Sequence, residues 1–159
     1  MRKIVAMFVM VFVMAIASET FALGVYPDYL GGDKNYVICN AHMGTGYYAD
    51  LSSLAVMQYN PPNYALAINV VVVPDADIGK TSISDVRKYR FAYRYDVRKM
   101  YLIIDKGRLA DEDELRLLNP NGNYAESGVS VPAGEIAFYK AYGRPFYGKV
   151  GYANIYGRI

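Results

Sequence analysis

Four basic residues, Lys88, Arg90, Arg94 and Arg98, occupy even positions in a segment whose odd positions carry Tyr89, Phe91, Tyr93, Tyr95, Val97 and Tyr101. On a strand, same-face neighbours stand about 7 Å apart, so the four cations would form a stripe of about 30 Å at most, opposite an aromatic row. Such a stripe could hold a sulfated glycan, an acidic envelope polymer or an acidic patch on a host protein through charge-assisted hydrogen bonds. The plainer alternative is a solvated charged face that Asp96 partly neutralises. The other chemistry-bearing types offer less. Cys39 and His42, the only cysteine and histidine, are three residues apart, which on a regular strand points them to opposite faces and spoils a nucleophile pair. Gly44-Thr45-Gly46-Tyr47-Tyr48-Ala49 spells a dinucleotide fingerprint without the helix that must follow, so it reads as a turn. Asp75, Asp77 and Asp85 suggest a cation loop, but Gly79 falls one position early and Val86 stands where a calcium loop needs Glu. The acidic patch Asp111 to Glu114 reads as a solvated turn that protects a sheet edge. No acid, base, nucleophile or metal set converges, so the reading is of a non-enzymatic chain with no catalytic residues, no metal and no cofactor.

The elements that must carry the basic row are mostly strands. Tyr36 to Met43 reads as a first strand, and Tyr47 to Tyr59 as a second with a polar break at Asp50 and Ser52-Ser53. Asn60-Pro61-Pro62-Asn63 makes a stop that no sheet interior accepts. Tyr64 to Val73 is apolar on both alternating faces apart from Asn69, the pattern of a central strand covered on both sides. Lys88 to Tyr101 reads as one strand with a dry and a wet side. Asn121-Gly122 signals a hairpin after the Leu115 to Leu118 run. One helix is expected from Pro132, with Ala133, Ala137 and Ala141 recurring beside Ile136 and with Gly143 closing it. The result is an α+β domain: a mainly antiparallel meander of five or six strands with one C-terminal helix packed on the sheet.

Residues 1 to 22 place Arg2 and Lys3 before an apolar run from Ile4 to Ala17, the grammar of a signal peptide, and the run is too short to span a membrane. Cleavage could follow Ala17 or Ala22, and the second is favoured. Residues 23–159 then form a single exported domain, whose tail, 143–159, is rich in Tyr and Gly and reads better as an added edge strand than as a mobile end. Without Arg2, Lys3 and Glu19 the chain holds 15 basic and 14 acidic residues. That near-neutral balance gives no pull toward nucleic acid. A lone cysteine excludes stapling by an internal disulfide even in an exported chain, so the core must hold the fold. All 17 tyrosines lie after the leader, which suits half-buried strand faces and binding surfaces. A small outer-membrane barrel would need eight strands, more than these segments provide.

The stretch Tyr47-Tyr48-Ala49-Asp50-Leu51-Ser52-Ser53-Leu54 resembles the Tyr-Tyr-x-Asp-x-Ser-Ser-Ile core of the surface-adhesin E family of small exported bacterial proteins. The apolar Tyr64 to Val73, the tyrosine-bearing Tyr89 to Tyr101 and the helix opened by Pro132 follow in that family's order, so the resemblance covers residues 36–143. It implies an antiparallel sheet with a packed helix in a cell-surface protein that binds host matrix or plasma components. The family's helix often ends on a cysteine, where this chain has Tyr142. Two functions follow as expectations. The first is an exported cell-envelope or surface binding protein, adhesin-like, with a host or envelope protein or an anionic glycan as partner. The second is a periplasmic accessory domain that assembles with envelope partners through a sheet edge.

Overall fold

The computed structural model describes residues 25–105, 114–148 and 153–159. The expected signal peptide, residues Lys106 and Gly107 of the expected turn and Asp111 to Asp113 of the acidic patch lie outside the described residues. Six strands form one antiparallel sheet in sequence order: β1 (Tyr36–His42), β2 (Thr45–Asn60), β3 (Asn63–Val73), β4 (Asp85–Arg94), β5 (Lys99–Ile104) and β6 (Glu114–Leu117). A helical turn α1 (Tyr124–Ser127), the main helix α2 (Ser130–Tyr142) and a last turn α3 (Ala153–Tyr156) follow. The α+β meander with one main helix on the sheet is therefore the architecture.

The central strand is β3. Tyr64, Leu66, Ile68 and Val70 join Val131, Ala133, Ile136, Ala137 and Phe138 of α2 in the main core, while Val71 and Val73 join Leu30, Ile38, Tyr48 and Ala76 in a smaller core on the other face. Both faces of β3 are covered at its Val70 to Val73 end, which is why the sequence there lacks alternation. Helix α2 comes close enough to the sheet that a Cβ on Gly134 would stand 2.4 Å from the Met100 sulfur. The Tyr93 hydroxyl donates to the Gly134 carbonyl at 2.9 Å.

Local chemistry sets the register. The β2–β3 turn is Pro61-Pro62, joined by a cis bond, with Asn60 opposite Asn63. Pairing of β2 with β3 shifts between Asp50 and Ala55. There the Asp50 carboxylate accepts from the Ser52 amide, the Ser53 hydroxyl donates to the Asp50 carbonyl, and the Asn69 amide donates to the Ser53 hydroxyl at 2.8 Å. The Asp-x-Ser-Ser motif thus supplies by side chains the hydrogen bonds that the irregular ladder cannot make.

The chain after α2 is held to it by a buried carboxylate. Glu135, with no exposed surface, accepts from the Phe146 amide at 2.7 Å, from the Tyr147 amide at 3.1 Å and from the Tyr156 hydroxyl. Phe146 and Ile155 complete the main core, and Arg158 pairs with Asp28 at 2.8 Å. Among the described residues of the tail there is no edge strand, and Ala153–Tyr156 is a helical turn, with Ile155 in the main core and Tyr156 stacked on Tyr139 of α2. The Asn119 to Gly122 turn forms, with the Gly122 amide on the Asn119 carbonyl, but it leads into α1 and not into a hairpin strand.

Candidate functional site

The segment expected as one strand is two. The chain turns at Tyr95 to Arg98, and β5 runs back beside β4 with Lys99 opposite Arg94 and Tyr101 opposite Ala92. Tyr89, Phe91, Tyr93 and Tyr95 all pack on the helix side, as the alternation requires. Tyr101 does not: it shares the face of Ala92, because the four-residue turn resets the parity.

Lys88, Arg90 and Arg94 alternate with that aromatic row and so lie together on the face turned away from α2. Arg98 does not join them. It adopts a left-handed backbone, φ 52°, stacks its guanidinium 3.8 Å from the centre of the Tyr95 ring and donates to the Phe146 carbonyl at 2.5 Å. Its place on the outer face is taken by Lys99, a residue the strict alternation passes over.

The outer patch is ordered in cross-strand rows. Lys88 lies opposite Asn69, Arg90 opposite Ala67, Ala92 between Ala65 and Tyr101, and Arg94 between Asn63 and Lys99. Ala65, Ala67 and Ala92 make a low floor beneath longer basic side chains. Carboxylates reach the patch too: among the described residues Asp105 stands 3.9 Å from Arg90, Asp96 stands 3.8 Å from Arg94, and Asp50 shares the row of Asn69 and Lys88. Lys88 and Lys99 have no ion-pair partner among the described residues. Arg94 and Lys99 are like charges directly opposite one another, an arrangement that disfavours a strand pair and that a bound anion would relieve. Beyond Tyr101, the outward Leu115 and Leu117 of β6 are 55% and 53% exposed. The patch is therefore cationic with an apolar flank.

The other sequence candidates do not assemble. Cys39 occupies a bulge in β1, between the pairs Ile38 with Tyr48 and Asn40 with Tyr47. The extra residue flips the parity, so His42 lies on the helix side like Cys39, contrary to the expected opposite faces. Still, the Cys39 thiol donates to the Tyr47 carbonyl at 3.2 Å while the His42 ring stacks on Tyr124 at 4.3 Å. Burial pushes the Cys39 thiol up to about 12, the opposite of an activated nucleophile. Gly44 and Met43 form the β1–β2 turn. Asp75 pairs with Lys80 at 2.7 Å and Asp85 with Arg87 at 2.8 Å, and no three of His, Cys, Asp and Glu converge among the described residues. No family model, curated protein or solved structure matches the chain.

Proposed function

We propose that the protein is an exported cell-envelope or surface binding protein, adhesin-like and non-enzymatic, that engages an anionic partner through the outer face of β3 to β5. The observation that carries this reading is the juxtaposition of Lys88, Arg90, Arg94 and Lys99 on a sheet face turned away from the helix. The leader-like residues 1–22 and the resemblance of residues 47–54 to the surface-adhesin E core point the same way. The exposed Leu115 and Leu117 beside Tyr101 favour an acidic protein segment over a polysaccharide, since they add apolar contact that a glycan does not use.

Heparin-column retention at graded salt tests the charge of the face. Lys88→Gln, Arg94→Gln and Lys99→Gln together should lower the eluting salt, because fewer cations on the face displace fewer counterions from the polyanion. The charge-matched set Lys34→Gln, Lys80→Gln and Lys140→Gln should elute with the wild type. Equal elution of all three proteins would reject the outer face as the binding surface. Protease accessibility on intact cells tests the location, with cleavage expected. A second reading, an accessory domain that assembles through the β6 edge, is favoured by those same exposed leucines. It predicts a crosslinked envelope partner, and a chain captured alone would count against it.

A further inference from the structure

The helix side of the sheet holds a cavity of about 240 Å³ that has no part in the outer face. It lies where β2, β4 and β6 meet the junction of α1 and α2, and Tyr47, Arg87, Tyr89, Arg116, Tyr124 and Ser130 line it. Arg87 and Tyr89 share one side of β4, and Arg116 enters from β6. Arg116 is exposed and has no ion-pair partner among the described residues. Arg87 gives its Nε to Asp85 at 2.8 Å and lies against the Tyr89 hydroxyl, and its five N–H donors outnumber those two acceptors. Two guanidiniums thus face one space, with Asp85 beside Arg87 and Glu114 two residues from Arg116 on the same side of β6.

The rest of the wall is built to present donors and flat rings. Tyr124 lines the space together with Tyr47 and stacks on His42. The junction backbone is kept bare by Gly128, where an added Cβ would stand 2.5 Å from the Tyr124 carbonyl oxygen. Helix α2 starts at the same wall with no side-chain cap and no acidic residue in its first turn, an end that favours a negative charge. A carboxylate has two oxygens and is satisfied by one guanidinium in a bidentate pair. Two guanidiniums from separate strands suit a tetrahedral group with three free oxygens. The volume falls below the roughly 300–1,000 Å³ of sites for drug-sized ligands, which leaves room for one such group on a small polar carrier.

We propose that this cavity binds the oxyanion of a phosphate or sulfate ester on a carrier of sugar size, with Arg87 and Arg116 holding the oxyanion and Tyr47, Tyr89 and Tyr124 contacting the carrier. The site is separate from the outer face, since Lys88, Arg94 and Lys99 do not line it.

The test is a titration of the purified protein with glucose 6-phosphate, glucose 6-sulfate and unmodified glucose, read from backbone amide resonances. At least one ester, at millimolar concentration, should shift the Gly128, Val129 and Ser130 amides, and glucose should not. Whichever ester binds more tightly identifies the source of the group. Arg116→Gln should weaken that ester about tenfold or more, the loss of one charge-assisted bond, while Lys88→Gln with Arg94→Gln should leave it unchanged. Arg116 is exposed, so its replacement should leave the melting temperature as it was, and Arg87→Gln gives an independent second variant. Absence of shifts with both esters, shifts with glucose alone, or wild-type affinity in both arginine variants would overturn the proposal.

Discussion

Replacing Glu135 by Gln should loosen the C-terminal tail from α2 and lower the stability of the whole domain. The wild-type carboxylate serves three donors: the Phe146 amide at 2.7 Å, the Tyr147 amide at 3.1 Å from either oxygen, and the Tyr156 hydroxyl. One carboxylate oxygen serves all three donors and the second meets only the Tyr147 amide, so a glutamine that keeps its oxygen in the first place sets an amide donor against the Tyr147 N–H in the second, at about 1–3 kcal/mol. Each bond that survives passes from a charged to a neutral acceptor, a loss of about 1 kcal/mol. Against this, a neutral amide is cheaper to bury than a carboxylate. The net is a destabilisation of about 2–4 kcal/mol, or roughly 10 °C in melting temperature for a domain of this size. Urea and thermal unfolding followed by circular dichroism measure the total. Hydrogen exchange at the Phe146 and Tyr147 amides locates it, and those amides should lose protection before the β3 amides do. Arg98 also binds the Phe146 carbonyl, at 2.5 Å, so the segment should stay near the sheet while it frays from α2. Unfolding free energies that agree within about 0.5 kcal/mol, with the two amides equally protected, would refute the clamp.

Cys39 should be nearly inert in the folded protein. With its thiol pushed up by burial from 9.0 to about 12, alkylation at pH 8 should run about a thousandfold slower than in the urea-unfolded chain; equal rates would show the site to be open. The same shift has a sign for stability. The unfolded thiol ionises near pH 9 and the folded one near 12, so this contribution is complete below pH 9 and is lost as pH rises from 9 to 12, by about 1.4 kcal/mol per unit. Urea melts at pH 8, 10 and 11 should fall accordingly, and more shallowly in Cys39→Ala. Tyr48 is fully buried and its hydroxyl has no hydrogen-bond partner among the described residues, so Tyr48→Phe should stabilise the protein by about 1 kcal/mol. A lower melting temperature in that variant would contradict the assignment.

The parts that are legible in sequence are those whose cause is local. Tyr64 to Val73 reads as a doubly covered strand because every position but Asn69 is apolar, and β3 has cores on both faces. The helix is marked by Pro132 near its start and by Gly143, which closes it in the left-handed conformation, φ 65°. The misreadings arise where a distant contact replaces a local signal. A left-handed turn position usually shows as Gly or Asn; here it is Arg98, held by Tyr95 beside it and by Phe146, 48 residues away. Nothing near Arg98 announces a turn, so the alternation runs through it and exchanges Lys99 for Arg98. One bulge residue at Cys39 reverses the expected facing of His42 for the same reason, since a period of two has no tolerance for an insertion.

The two anion-directed surfaces differ in the same way. Lys88, Arg90 and Arg94 are neighbours on one strand, and their common face follows from spacing alone. Arg87 stands next to Lys88 in sequence yet points to the opposite side, toward Arg116 and Tyr124, which come from β6 and α1. Adjacent residues of like charge therefore serve opposite faces of the sheet, and a single count of basic residues along β4 merges two surfaces that no one macromolecular partner can cover together. This separation makes the two proposals independent. Neutralising the even positions should change heparin retention without moving the amides at the start of α2, and removing Arg116 should do the reverse. If either set of substitutions changed both readouts, the faces would be coupled through the sheet, and the assignment of separate ligands to them would fail.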